Sequence, residues 1–254
     1  MKLGLPLEYK KLPEFFDAHN VCENTTTKNQ AIEKLLKKYA VKSVLDMTCG
    51  TGSQVFHLLN SGYQVTGSDF SSDLIKIARD KSLSQKKSVE FIEGDVRNLK
   101  VGKFDAVITM FNAIGHLNRS DFAKAIRNIR RNLKTGGIYI FDIFNLAAMT
   151  DKTVAELAYL TNKKVNGIQV LQSQCSTIDR EKGLLTSYDS YMIQNNAEIP
   201  KILHNKFTLQ IYNAQELQDI LSKNGFETLG QYDIYGEKFI PSKTINILTV
   251  AQKR

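Results

Sequence analysis

Three carboxylates in the first half of the chain occupy equivalent places. Asp46, Asp69 and Asp95 each follow a short run of β-forming apolar residues and precede a polar turn. Asp46 opens the segment Asp46-Met47-Thr48-Cys49-Gly50-Thr51-Gly52, whose glycines let the backbone bend sharply and approach a ligand with no side chain intervening. Such a turn serves a nicotinamide dinucleotide and other adenosine ligands alike, so charge must separate them. A carboxylate at Asp46 opposes a pyrophosphate but suits the ammonium and sulfonium of S-adenosylmethionine, and Val55 stands where dinucleotide spacing expects a third glycine. Asp69, in Gly67-Ser68-Asp69-Phe70, is placed to accept hydrogen bonds from both hydroxyls of a ribose. Asp95, in Gly94-Asp95-Val96-Arg97, is placed to accept from an adenine amino group while Val96 and Phe70 flank the ring. Each carboxylate alone is equally explained as a helix cap. The three together, at successive strand ends, point to a cofactor site.

The elements that must hold these residues are legible as an alternation. Apolar runs at 42–47, 64–68, 89–92, 104–110 and 137–143 read as strands, separated by helical patterns near 53–60, 72–82 and 120–133. That order predicts an α/β, Rossmann-like, mostly parallel sheet with helices on both faces, its ligand beyond the carboxyl ends of the strands. After residue 143 the pattern changes. Segments around 164–178, 184–194 and 202–212 alternate apolar and polar residues, with Asn166-Gly167, Lys182-Gly183 and Asn195-Asn196 as turn signals, and read as a small antiparallel insertion. A helix follows with Asn213 as N-cap, Glu216 three residues on and Gly225 at its end, and strands near 227–235 and 244–251 return to the main sheet. The domain expectation is an N-terminal helical flap over 1–40, a core over 41–160 and 213–254, and a substrate-side insertion over 161–212.

With these residues in place, the chain resembles the class I S-adenosylmethionine-dependent methyltransferases. Its VLDMTCGTG, GSDFS, GDVRNL, FDAVITMFNAIGHL and LKTGGIYIFD are similar to that family's successive motifs over about residues 40–145. Within the family it resembles the small-molecule N-methyltransferases that dimethylate aminosugars and, more loosely, glycine N-methyltransferase. The resemblance implies a seven-stranded sheet with the last strand antiparallel, and S-adenosyl-L-methionine held by Asp46, Thr48, Gly50, Gly52, Asp69, Phe70, Asp95, Val96 and Met110. It also implies an insertion that covers a small-molecule acceptor. In the aminosugar enzymes the position of His116 lies beside the acceptor, where an imidazole takes a proton or orients an amine. Those enzymes carry a Tyr-Asp pair before the core that supplies a substrate-side hydroxyl. This chain has Phe16-Asp17, so Tyr9 becomes the candidate replacement and the acceptor stays open.

Methyl transfer from a sulfonium is an in-line displacement, and alignment with desolvation supplies much of the acceleration. Few catalytic residues are required; His116 and Tyr9 are the candidates. Tyr9, Phe15 and Phe16 form an aromatic set suited to a flap over the donor or, equally, to plain packing of an amphipathic helix. Tyr188, Tyr191, His204 and Tyr212 in the insertion are candidate pocket residues, though alternating aromatics on strands are commonly core. No Asn/Asp-Pro-Pro-aromatic run follows the fourth strand, which argues against exocyclic base nitrogens. Nor does a cysteine stand there for cytosine C5 chemistry. A cluster of acceptor-side carboxylates for a metal is not evident, and no metal is expected.

Composition fits this reading. A chain of 254 residues, 42% hydrophobic and 24% charged, suffices for one α/β core with a small insertion, and no run is long and apolar enough for a membrane span. The expectation is a cytoplasmic protein with no membrane partner. Cys22, Cys49 and Cys175 show no paired spacing, consistent with a reducing compartment, and Cys49 reads as a small packed residue. The net charge of +8 leaves RNA as an alternative partner, but Arg127, Arg130 and Arg131 sit at helical spacing beside Ile126 and Ile129, the pattern of a solvated helix face.

Overall fold

Along the central strands, neighbouring residues bury on opposite faces. The computed structural model, which describes residues 3–21 and 24–254, contains in chain order α1 (Phe16–Asn20), α2 (Asn24–Lys38), β1 (Ser43–Asp46), α3 (Ser53–Asn60), β2 (Gln64–Asp69), α4 (Ser72–Ser84), β3 (Glu90–Glu93), β4 (Phe104–Thr109), α5 (Arg119–Asn132) and β5 (Leu133–Phe144). Then come α6 (Asp151–Glu156), the strands β6 (Tyr159–Val165), β7 (Ile168–Asp179), β8 (Leu184–Asn195) and β9 (Lys201–Gln210), and finally α7 (Ala214–Lys223), β10 (Phe226–Tyr232) and β11 (Asn246–Lys253). The main sheet has seven strands in the order β10-β11-β5-β4-β1-β2-β3. Pairs from β5 through β3 are parallel, and the last strand, β11, is antiparallel to both neighbours.

Both faces of this sheet are covered, as a parallel sheet requires. Leu45, Val107, Tyr139 and Phe141 pack on one side with Phe122, Ile126 and Ile129 of α5 and Leu217 and Leu221 of α7. Val44, Ala106, Ile108, Ile138 and Ile140 pack on the other with Ile32, Leu35 and Leu36 of α2 and Leu58 of α3. Local chemistry starts the helices where the sequence indicates. Ser71 accepts from the Leu74 N–H at 3.3 Å, Asn118 from Asp121 at 3.0 Å and Asn213 from Glu216 at 2.8 Å, each satisfying a donor the first turn leaves free.

The insertion differs from expectation in one respect. The run 164–178 is not one strand but crosses a turn at Asn166 and Gly167, which take φ of 50° and 87°, so β6 and β7 form a hairpin and the second sheet has four strands in the order β6-β7-β8-β9. The edge strand β6, Tyr-Leu-Thr-Asn-Lys-Lys-Val, is largely exposed and lacks the apolar alternation of a half-buried strand. β5 also begins earlier than expected, at Leu133, directly after α5.

The residues before α2 close over the carboxyl ends of the main sheet. Leu7, Leu12 and Phe15 pack on Val170 and Tyr191 of the small sheet, and the Leu3 carbonyl accepts from the Thr208 N–H at 2.6 Å. Residues 3–21 are therefore a flap pressed between the core and the four-stranded sheet, which we term the lid. Cys22, one of the three cysteines, lies outside the described residues; Cys49 is buried and Cys175 exposed, both unpaired. Among the described residues no helix is long and apolar enough to cross a membrane.

Of the basic cluster, Arg127 and Arg131 are exposed, while Arg130 and two nearby lysines are hydrogen-bonded to carbonyls. Lys253 donates to the Arg130 and Leu133 carbonyls at 2.9 and 2.7 Å, Lys103 to the Arg131 carbonyl at 2.8 Å and Arg130 to the Arg254 carbonyl at 3.0 Å. The two lysines are cations placed at the carbonyl end of α5, the favourable end of its dipole.

Candidate active site

The turn after β1 is built by the strand ends on either side of it. Met47 N–H donates to the Ile108 carbonyl at 3.0 Å and Cys49 N–H to the Ser68 carbonyl at 2.9 Å, which pins the turn across β4 and β2. Gly50 takes φ of +53° and Gly52 of +92°. A Cβ on Gly50 would lie 3.0 Å from the ring of Phe16, so the flap rests directly on the turn.

Above this turn opens a cavity of about 520 Å³ lined by Tyr9, Asp46, Thr48, Gly50, Asp69, Phe70, Asp95, Val96, Met110 and His116, among others. Every residue expected to hold the cofactor lines it except Gly52, and so do both catalytic candidates, Tyr9 and His116. That glycine faces away, against Phe56 and Phe91, and its contribution is the left-handed residue that starts α3.

The acidic residues divide by environment. Asp46 is buried at the end of β1, where one oxygen accepts from the Thr48 N–H at 3.1 Å. Burial, with Asp69 nearby, pushes its carboxyl up to about 7. Asp69 accepts from the Gly50 and Ser71 N–H groups, each at 2.9 Å, and burial pushes it up to about 6. It thus shapes the turn as well as facing the cavity, a double duty not expected from sequence. Asp95 departs further. Its carboxylate is paired with Arg97, Nε to Oδ1 at 2.9 Å and Nη2 to Oδ2 at 2.5 Å, and that pairing holds it below the usual carboxylate range. Arg97 also reaches Asp121 at 3.0 Å and lines the cavity. It is a site residue that sequence reasoning missed, although it stands two positions after Asp95.

On the opposite side, after β4, Phe111 and Asn112 both take positive φ, 62° and 57°. Asp142, buried at the end of β5, accepts both of their N–H groups, at 2.5 and 3.2 Å. The loop so held carries His116, whose Nδ1 is buried without a hydrogen-bond partner. Burial lowers its imidazole to about 4, so it is neutral at physiological pH.

Tyr9 joins the two halves. Its ring stacks on Phe70 at 5.7 Å and 17°, and meets the His116 ring edge-on at 5.5 Å and 68°. The flap is fastened by Asp17, which accepts from the Thr51 hydroxyl at 2.5 Å and pairs with Lys81. The aromatic candidates in the insertion do not come to the cavity. Tyr191 and Tyr212 are buried in packing, Tyr188 is exposed, and His204 pairs with Ser190 at 2.8 Å. Among the described residues no cluster of metal-ligating side chains occurs.

Comparison with known proteins agrees with this geometry. Residues 44–137 match the family model described as a methyltransferase domain. Over 102 residues the chain is 28% identical to the dTDP-3-amino-3,4,6-trideoxy-alpha-D-glucopyranose N,N-dimethyltransferase of Streptomyces venezuelae, a match covering 39% of this chain and 41% of that one. Its fold is similar to that of an S-adenosylmethionine-dependent methyltransferase from Clostridium acetobutylicum, with a TM-score of 0.78 and 19% identity over 96% of this chain and 98% of the other. A sugar N-methyltransferase from Streptoalloteichus sp gives a TM-score of 0.79 and 18% identity over 99% and 94%. The chain spans about half or less of the length of several curated relatives it matches.

Residues 44–137 thus match a methyltransferase domain, and the chain as a whole has the fold of S-adenosylmethionine-dependent methyltransferases. A solved neighbour of the same fold, an amino pentose methyltransferase at a TM-score of 0.68 and 17% identity over 90% of this chain and 92% of the other, is bound to S-adenosylmethionine. The residues present fit that molecule: a glycine cradle that a Cβ would fill, a buried carboxylate at Asp46 facing a cavity of about 520 Å³, and a flat aromatic wall at Phe70.

Proposed function

We propose that this chain moves the methyl group of S-adenosylmethionine to a nitrogen of a small-molecule amine. When bound, the cofactor supplies an electrophilic methyl carbon on a sulfonium; the nitrogen lone pair forms the new C–N bond as the C–S bond breaks. Asp46, Asp69 and the glycine turn are the proposed donor contacts, with Asp46 ionised beside the donor's ammonium. Tyr9, Phe70 and Phe16 cover the donor and exclude water.

The observation that carries the acceptor side is His116, which lines the cavity and whose imidazole burial keeps neutral. A neutral imidazole accepts from an amine N–H and so aims the lone pair at the methyl carbon. Its low proton affinity suits orientation rather than storage of the proton, which leaves the methylated ammonium to solvent. The aminosugar N,N-dimethyltransferase relative supports nitrogen as the acceptor atom. Lys253 and Lys103, bonded to carbonyls at the end of α5, add no support to the RNA alternative.

Calorimetric titration with S-adenosylhomocysteine tests the donor half, and transfer of labelled methyl to a panel of amines and alcohols tests the acceptor half. Micromolar binding with label on amines alone is expected. Absence of binding at millimolar ligand, or label on alcohols only, overturns the reading.

A further inference from the structure

Between the flap and the inner face of the lid lies a set of polar groups that the donor site does not use. Glu8, adjacent in the chain to Tyr9, is only 2% exposed, and its carboxylate accepts from the Tyr191 hydroxyl at 2.8 Å, His19 Nδ1 at 3.0 Å and the Gln172 amide at 3.4 Å. Asp189 on β8 lies close enough for the two carboxylates to repel each other, and it is 3% exposed. Neither Asp189 oxygen has a partner at full hydrogen-bond geometry, and only Asn205 and His19 favour its charge. Its cross-strand partner Asn205 donates to the Leu5 carbonyl at 3.0 Å. Gln172 Oε1, Thr161 Oγ1 and His19 Nε2 are likewise buried without partners.

Burying a second carboxylate beside Glu8, whose own donors are already engaged, is unfavourable unless a partner supplies more charge and N–H groups than Asn205 and His19 provide. The unpaired atoms on Asp189 and Gln172 are all acceptors. What completes them must bring donors and positive charge, the chemistry of an ammonium. Resting on the N-methylation reading above, we propose that the acceptor carries a second cationic group besides the nitrogen that is methylated, and that Asp189 and Glu8 receive it as the flap closes.

The lid sets the spacing. On β9 the Phe207 ring lies 5.8 Å from the His116 ring, and Asn205, paired with Asp189, is two residues along the same face. Two residues of strand advance about 7 Å, the reach of a short diamine. Leu3, Gly4, Leu5 and Tyr9 of the flap line the cavity while Glu8 and Asp189 do not, so on this proposal the flap lifts for the second cation to pass.

Isothermal titration of 1,4-diaminobutane and of 1-aminobutane into protein saturated with S-adenosylhomocysteine tests this. The diamine is expected to bind at least tenfold more tightly, and Asp189→Asn and Glu8→Gln are each expected to abolish that preference while leaving S-adenosylhomocysteine affinity unchanged. Asp189→Asn removes an unpaired buried charge and keeps the side-chain shape, so it should fold; Glu8→Gln gives an independent reading. Equal affinity of the two amines, binding of neither, or a preference that survives both substitutions overturns the inference. Failure of S-adenosylhomocysteine to bind, or of any amine to be methylated, would instead overturn the reading on which it rests.

Discussion

The ring of Phe16 sits on Gly50, 3.0 Å from where a Cβ would stand, and thereby makes the glycine turn the seat of the flap. Gly50→Ala would meet two obstacles, this contact and the left-handed φ of +53°. A left-handed non-glycine residue costs about 1–2 kcal/mol before any clash is counted. Titration of the variant should show S-adenosylhomocysteine binding at least tenfold weaker than in the parent protein; unchanged affinity would show that the flap does not rest there.

Asp46 gives a pH dependence with a definite sign. Its carboxyl is pushed up to about 7 by burial, and a bound ammonium favours the ionised form. Donor affinity should therefore be full at pH 8 and fall as pH drops through 7, by up to about tenfold per unit when one proton must be displaced. Asp46→Asn should bind weakly at every pH and lose this dependence. Calorimetry between pH 5.5 and 8.5 measures both.

His116 predicts an absence in the rate profile. With the imidazole held near 4, kcat should show no inflection around 6.5 and should follow the protonation of the acceptor amine. His116→Ala should lower kcat by about 10- to 100-fold, at or below the usual range for a positioned acid or base. Its S-adenosylhomocysteine affinity should match that of the parent protein.

Asp142 holds two residues in a conformation that neither favours. Each left-handed non-glycine residue costs on the order of 1–3 kcal/mol, offset here by hydrogen bonds to one buried carboxylate. Asp142→Ala should lower urea stability by roughly 2–4 kcal/mol on that basis. Adding Asn112→Gly should recover part of the loss in the variant, while Asn112→Gly alone should gain much less.

Asp17 joins the flap to Thr51 and Lys81. Both charged side chains are about a third exposed, so the clasp is modest, within the 0–1 kcal/mol of a partly screened pair. Asp17→Ala should therefore speed S-adenosylhomocysteine release several-fold in stopped-flow measurements. A change of a hundredfold or none would show a different fastening.

The parallel core was readable because its strands are short, β-branched and buried on both faces, as Val44-Leu45 and Ala106-Val107-Ile108 illustrate. Caps such as Asn213 were readable because their chemistry is local. Relations made across the fold were not. Nothing in Asp95-Val96-Arg97 distinguishes a guanidinium that turns back on the carboxylate from one in solvent. Glu8, between Leu7 and Tyr9, looks like a surface charge until the lid is laid over it. Strand β6 escaped notice because an exposed edge has no burial to impose an alternating pattern.

Because Tyr9 touches Phe70 on one side and His116 on the other, donor and acceptor would, on the proposed function, share a single door. A donor enclosed behind a flap that also walls the acceptor would arrive first and depart last. Steady-state kinetics should then be ordered, and the demethylated product, trapped longest, should be a strong inhibitor competitive with the methyl donor. Cellular activity would follow the ratio of the two sulfur compounds more closely than the concentration of either.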